Sequence, residues 1–185
     1  MADLTAIPPL GGHDETTGDL RLRERGDLAL VSIAVPLGGE ATLAKALRSA
    51  FKLDLPDPGR FSASATHYLI RTGPDQLLLA FAHAAPDAEP RVAKALKGAA
   101  YTTDQTGAWA VLELSGPNCR TVLERICPLD LHDMAFPVGA AHRTLMEHLG
   151  VLILHTDADT FLLMSASSSA MSFLHALRTS IRYVS

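Results

Sequence analysis

Eight histidines make metal binding the first chemistry to consider for this chain. His142 and His148 are six residues apart in a strand-like segment, and even spacing places two side chains on one face of an unbroken strand. His132 lies in the loop before this segment. A zinc site needs three or four convergent ligands, which commonly include a closely spaced pair, and no such His/Cys pair occurs here. We therefore expect no metal site and predict surface or interface histidines instead.

Cys119 and Cys127 are the candidate nucleophiles of the sequence. Cys119 falls at the predicted start of a helix, where the helix dipole would lower the thiol pKa. A nucleophilic cysteine also needs a base and an orienting partner, and the sequence nominates neither. If both cysteines lie near one helix, they are about 12 Å apart, which is too far for a disulfide. We expect two core or half-buried thiols in a reducing cytoplasm.

Ser115-Gly116-Pro117 lies between a predicted strand and a predicted helix, where an anion could bind at the helix N-terminus. The segment lacks the multiple glycines of a phosphate-binding loop, so a turn capped by Ser115 is favoured. The dinucleotide-binding pattern G-x-G-x-x-G does not occur in the sequence. We therefore expect neither FAD nor NAD to bind this chain.

Composition limits the broad class of the protein. Hydrophobic residues make up 48% of the 185 residues, which suffices for one compact domain or two closely packed halves. The net charge of −4 gives no reason to expect nucleic acid as a partner. No apolar run reaches about 18 residues, and the N-terminus lacks a basic region followed by an apolar one. We expect a cytoplasmic protein that does not bind membranes.

Apolar spacing predicts the secondary structure that must position these residues. The predicted strands span 28–35, 66–71, 76–83, 99–103, 109–114, 141–148, 150–155 and 159–164. The predicted helices span 40–51, 86–97, 118–126 and 167–182. The apolar stripe of the last helix is expected to consist of Met171, Leu174, Leu177 and Ile181.

The predicted elements form two similar halves, residues 20–103 and 104–185, each with the order strand, helix, hairpin, helix. Lys52–Asp57 resembles Pro128–Asp133, and Asp75–Leu79 resembles Asp159–Leu163, at an offset of about 80 residues. Two such units predict an α+β fold in which helices pack on a largely antiparallel sheet.

A series of short motifs runs through residues 107–164. In order, they are L-S-G-P, L-x-x-I-C-P-L-D-L-H, A-F-P-x-G, R-T-x-x-x-H and D-x-F-L-L. In order and spacing, this series resembles the gamma subunit of heterotetrameric sarcosine oxidase. Most of residues 20–182 is also distantly similar to the folate-binding domain of the glycine-cleavage aminomethyltransferase. That resemblance implies a folate-binding-domain-like fold of two pseudo-repeated halves.

The resemblance also draws attention to a missing carboxylate. In the folate-dependent aminomethyltransferases, the aspartate of a G-V-x-x-D motif acts at the folate nitrogens. Here Gly150-Val151 is kept, but the aspartate position is Ile153 or Leu154, and the next aspartate is Asp157. The resemblance therefore implies a chain that keeps the fold and has neither catalytic nor cofactor-binding residues.

By resemblance, the chain is expected to be a non-catalytic subunit that assembles with the alpha, beta and delta subunits of sarcosine oxidase. That complex oxidatively demethylates sarcosine to glycine and yields hydrogen peroxide with formaldehyde or 5,10-methylenetetrahydrofolate. FAD, FMN, NAD and tetrahydrofolate are expected on the partner subunits. The alternatives are a free-standing tetrahydrofolate-binding one-carbon protein and a homo-oligomeric module without such partners.

Two segments are predicted to contact partner subunits. Residues 1–19 are rich in proline and glycine and are expected to form an extended arm without its own core, or else a disordered tail. The second segment is the loop Pro128–Gly139, with the candidate contact residues Leu131, His132, Met134 and Phe136. Alternatively, the apolar residues of this loop anchor it to its own core.

Overall fold

The computed structural model describes residues 7–83 and 85–184 and divides the chain into two compact units. Unit 1 comprises Met1–Gly26, Gly107–Val138 and Arg143–Ser185. Unit 2 comprises Asp27–Thr106 and Gly139–His142. Residues 1–6 of the predicted arm lie outside the described residues. Within those residues, no helix is long and apolar enough to span a bilayer.

The described residues form eleven strands and four α-helices. The strands are β1 (Asp14–Thr17), β2 (Leu20–Glu24), β3 (Leu28–Ala34), β4 (Phe61–Ala63), β5 (His67–Arg71), β6 (Gln76–Ala82), β7 (Tyr101–Asp104), β8 (Trp109–Ser115), β9 (Ala141–Met146), β10 (Leu149–Asp157) and β11 (Thr160–Ala166). The helices are α1 (Glu40–Phe51), α2 (Ala88–Leu96), α3 (Cys119–Glu124) and α4 (Ala170–Arg182).

Every predicted helix and strand has a counterpart in the structure, and three short strands were missed. β1 is polar throughout and lies at a sheet edge, whereas β4 has only three residues. β2 alternates leucine with charged residues, which is a strand signal, but β8, which buries its leucines, lies about 90 residues away in sequence. The predicted α+β class and antiparallel pairing are confirmed. The strands form two sheets, one in each unit, instead of a single sheet.

Unit 2 contains a five-stranded antiparallel sheet in the order β4-β5-β6-β3-β7. Helices α1 and α2 bury their apolar stripes against β3 and β6, as the helical spacing of their leucines requires. Leu43 and Leu47 of α1 are fully buried, whereas Lys45 and Arg48 are exposed on the opposite face. The predicted helix at 40–51 is therefore confirmed in extent.

Unit 1 contains a six-stranded antiparallel sheet in the order β1-β2-β8-β11-β10-β9. Helix α4 contributes Phe173, Leu174, Leu177 and Ile181 to the buried residues. The prediction that Met171 belongs to this stripe is wrong, because its side chain is 69% exposed. Adjacent helical residues point about 100° apart, so burying Leu174 and Leu177 together with Phe173 turns Met171 towards solvent.

The two halves close their sheets with strands from different places in the chain. In unit 2, β7 follows α2 and pairs with β3. In the described part of the chain no strand follows α4, and β2 occupies the equivalent position beside β8. The sheet of the second half is therefore completed by a strand from the N-terminal end of the chain.

Side chains on both strands hold β2 against β8. Leu22 lies opposite Leu114, and both are fully buried. On the other face, Arg23 and Arg25 each donate a 2.8 Å hydrogen bond to the carboxylate of Glu113. Opposite charges that pair across neighbouring strands add to the stability of the sheet.

Glu24 fixes the segment that precedes β1. Its nearly buried carboxylate accepts hydrogen bonds from the backbone N–H groups of Leu10, at 2.8 Å, and Gly12, at 2.7 Å. Gly11 and Gly12 have positive φ angles, and the N–H of Gly11 donates to the carbonyl oxygen of Pro8, so the segment forms a tight turn around the carboxylate. From Ile7 onwards, the described part of residues 1–19 therefore forms a turn and strand β1, held by β2. A contact between this segment and a partner stays a prediction.

Replacing Gly116 with alanine is expected to disrupt the close approach between the turn after β8 and the turn that joins β1 to β2. Gly116 has a φ of +124°, and a Cβ atom there would lie 2.2 Å from the carbonyl oxygen of Asp19. We expect Gly116→Ala to lower the free energy of unfolding by roughly 1–3 kcal/mol in urea denaturation followed by circular dichroism. Gly150→Ala is the control, since its Cβ would meet nothing within 4 Å. Equal stability of the two variants would contradict the role of this turn.

Candidate functional site

The loop between α3 and β9 contains the four residues predicted to contact a partner. Leu131 and Phe136 are only 1% and 2% exposed, so both side chains are buried. His132 is exposed, and Met134 is 87% exposed. The four candidates thus divide into two buried residues, which anchor the loop, and two residues on its surface.

A stack of aromatic rings anchors the loop in unit 1. The Phe136 ring stacks on His155, with ring centroids 6.2 Å apart, and His155 stacks on Phe161 at 4.5 Å. His155 and Phe161 are directly opposite each other on β10 and β11. The Arg120 guanidinium of α3 lies over the Phe161 ring at 5.5 Å, a distance at which a cation–π attraction is felt.

His155 also binds the loop backbone. Its Nδ1 donates a 2.8 Å hydrogen bond to the carbonyl oxygen of Phe136, while Nε2 lies 3.3 Å from the carbonyl oxygen of Ala158. The side chain is fully buried. A buried polar group needs such partners, so the position of the loop and the orientation of the imidazole fix each other. We did not single out His155 from the sequence, where the signal is one polar residue at the end of an apolar strand.

Hydrogen bonds inside the loop hold Met134 at its surface. The Asp130 carboxylate accepts from the N–H of His132 at 3.0 Å, and His132 Nδ1 accepts from the N–H of Met134 at 3.3 Å. The carbonyl oxygen of His132 accepts from the N–H groups of Ala135 and Phe136, both at 2.8 Å. The loop is therefore a compact, internally bonded turn.

The structure does not bring the histidines together as metal ligands. β9 ends at Met146, and Glu147 and His148 form the following turn with positive φ angles. The predicted strand over 141–148 thus ends before His148. His142 and His148 therefore do not share one face of an unbroken strand. Among residues 7–83 and 85–184, no group of three or more His, Cys, Asp or Glu side chains could hold a metal ion.

Both cysteines are free and buried. Burial raises the pKa of the Cys119 thiol to about 11, and the nearby Asp159 carboxylate acts in the same direction. The predicted lowering of this pKa by a helix dipole is therefore wrong, because α3 has only six residues and desolvation of the thiolate dominates. Ser115 does not cap α3 either, since Asn118 is the residue that precedes the helix.

Aliphatic side chains form the centre of β10. Ile153 and Leu154 are fully buried in this strand. Asp157 is the last residue of β10, is exposed, and accepts a hydrogen bond from the N–H of Ala158. The centre of β10 therefore contributes to the packing of the core.

Comparison with known proteins gives consistent sequence matches. A family model described as "Sarcosine oxidase, gamma subunit family" matches residues 38–181. The chain is 32% identical over 165 residues to a sarcosine oxidase subunit gamma of Corynebacterium sp. (strain P-1), covering 88% of this chain and 80% of the relative. It is 33% identical over 150 residues to that of Arthrobacter sp., covering 79% and 72%.

Solved structures with the same fold include a chain of a heterotetrameric sarcosine oxidase from Corynebacterium sp. U-96 in complex with pyrrole 2-carboxylate. The TM-score is 0.79 at 26% identity, covering 91% of this chain and 88% of that chain. The glycine cleavage system aminomethyltransferase T from Bartonella henselae gives a TM-score of 0.62 at 15% identity, covering 94% and 57%. This second likeness shows a shared fold alone.

The buried thiols are expected to be unreactive in the folded protein. Because the pKa of Cys119 is about 11, almost no thiolate forms at pH 8, and both side chains are shielded from reagents. Ellman's reagent should release little thionitrobenzoate from the native chain and two equivalents in denaturant, since the sequence contains two cysteines. Rapid labelling of Cys119 in the native state would revive the nucleophile hypothesis.

Replacing His155 with phenylalanine should loosen the loop while preserving an aromatic ring in the stack. The variant lacks the N–H that binds the Phe136 carbonyl oxygen, so we expect a loss of about 1–3 kcal/mol in unfolding free energy. Amide hydrogen exchange should also accelerate in the loop. His175→Phe, at an exposed position on α4, is the matched control and should change stability by less than about 0.5 kcal/mol. Unchanged exchange in His155→Phe would argue against this anchor.

Proposed function

The chain belongs to the sarcosine oxidase gamma subunit family, and we propose that it is a non-catalytic structural subunit of a heterotetrameric sarcosine oxidase. The complex would assemble in the cytoplasm from this chain and the alpha, beta and delta subunits. The proposed role of this chain is to provide packing surface for those subunits.

In this proposal the chemistry takes place on the partner subunits. The complex converts sarcosine to glycine by oxidative demethylation, with hydrogen peroxide and formaldehyde or 5,10-methylenetetrahydrofolate as products. FAD, FMN, NAD and tetrahydrofolate are carried by the other chains. The relatives named as sarcosine oxidase gamma subunits support the inference that this chain is part of such a complex. The assignment of the chemistry to the other subunits is our inference.

The apolar centre of β10 is the observation that carries the non-catalytic assignment. In the folate-dependent aminomethyltransferases that the sequence resembles, the aspartate of the G-V-x-x-D motif is expected to act at the folate nitrogens. Ile153 and Leu154 fill the corresponding positions and are fully buried, so the strand contributes to the core instead. This supports a role in assembly over a role in one-carbon transfer.

We propose that the loop after α3 is one of the surfaces that contact a partner. Met134 and His132 are exposed and would form the contact, whereas Leu131 and Phe136 are buried and would hold the loop in place. The N-terminal segment before β1 is the second proposed contact.

Tetrahydrofolate binding separates the subunit hypothesis from that of a free-standing one-carbon protein. The purified chain should show no flavin absorbance and no saturable tetrahydrofolate binding in isothermal titration calorimetry. Co-expression with the other three subunits from the same source should yield one co-eluting complex, and omitting this chain should reduce its recovery. Micromolar tetrahydrofolate binding by the isolated chain would contradict the proposal.

A further inference from the structure

The most exposed part of the loop after α3 combines an apolar side chain with negative charge. We call residues 130–135 the Met134 turn. Met134 is 87% exposed, and Val138, further along the same loop, is 52% exposed. Residues 127–142 include Asp130 and Asp133 but no lysine or arginine. Met134 thus lies in a loop segment with two carboxylates, one of which, Asp133, pairs with Arg120 of α3.

The Met134 turn is held in one conformation before any partner binds. Its internal hydrogen bonds run through the side chain and carbonyl group of His132, and Asp133 is tied to Arg120 of α3. Phe136, immediately after the turn, is fixed to His155 by ring stacking and a hydrogen bond. A rigid surface loses little conformational entropy on binding, so an exposed methionine presented in this way is suited to a specific contact.

We propose that the Met134 turn inserts into an apolar socket with a basic rim on a partner subunit of the oxidase. This inference rests on the proposed function, because it requires the chain to be a subunit. The flexible thioether of methionine packs well in apolar and aromatic pockets. Asp130 and Asp133 complement lysine or arginine side chains at the rim, which accelerates association and selects the partner.

The charge of this chain favours a different protein over a second copy of the same chain as the binding partner. This chain has a net charge of −4, so two copies that meet through an acidic turn would repel each other. Asp133 retains a largely exposed carboxylate although it pairs with Arg120. The turn can therefore attract a basic partner without giving up the ion pair that supports its conformation.

Two variants test the proposal in the assembled oxidase. Met134→Glu places a charge in the apolar socket, and we expect at least a tenfold loss of affinity for the other three co-expressed subunits. Asp130→Asn with Asp133→Asn removes both charges while keeping side-chain oxygens as hydrogen-bond acceptors. This double variant should associate more slowly and should lose most of the salt dependence of the association rate.

Met171→Glu is the matched control, because Met171 is an exposed methionine of the same unit, on α4. It should assemble as the wild type does. Oxidation by hydrogen peroxide gives a second measurement: the Met134 sulfoxide should form readily in the isolated chain and slowly in the complex. Circular dichroism and urea denaturation should show that each variant is folded before its assembly is measured.

The outcomes distinguish a failure of the proposed Met134 contact from a failure of the proposed subunit function. If the wild-type chain does not assemble with the other subunits, the proposed function is refuted, and the proposed Met134 contact is refuted with it. If wild type assembles but Met134→Glu assembles equally well, the socket is refuted and the subunit role stands. An equal loss in Met171→Glu, or self-association of the isolated chain that depends on Met134, would also overturn the proposal.

Discussion

The pairing of β2 with β8 is the interaction on which unit 1 depends. β8 lies near the middle of the unit 1 sheet only because a strand from the N-terminal end of the chain covers its second edge. Leu22 supplies apolar contact, Glu113 accepts hydrogen bonds from two arginines, and Gly116 lets the backbone of Asp19 approach closely. The N-terminal segment is therefore part of the fold. The Glu24 carboxylate of β2 also binds the backbone of the turn before β1.

The two halves tether their loops by related means. Arg71 lies at the end of β5 and donates to the carbonyl oxygen of Pro56, in the loop after α1. His155 lies near the end of β10 and donates to Phe136, in the loop after α3. In the first half the tether is an arginine side chain that is only 12% exposed and also donates to Pro74 and Glu40. In the second half it is a fully buried imidazole in a ring stack.

The composition of β10 fits the proposed role in assembly. The fold shared with an aminomethyltransferase keeps its strands and helices, while the centre of β10 consists of aliphatic side chains. Such a centre strengthens the core by burying apolar surface, and the titratable side chains of β10, His155 and Asp157, lie towards its end. The features available to a partner are then on the surface, where a rigid loop can display a few side chains with fixed geometry.

The sequence by itself determined the α+β class, the helices, most of the strands and the lack of an aspartate at Ile153 and Leu154. Local apolar periodicity and residue identity suffice for these conclusions. Tertiary structure alone decided that β2 joins β8, that Phe136 is buried beside His155 while Met134 is exposed, and that the Cys119 thiol has a raised pKa. A local pattern shows that a side chain is apolar or titratable. What covers it depends on segments many residues away, whose positions are set by packing of the whole unit.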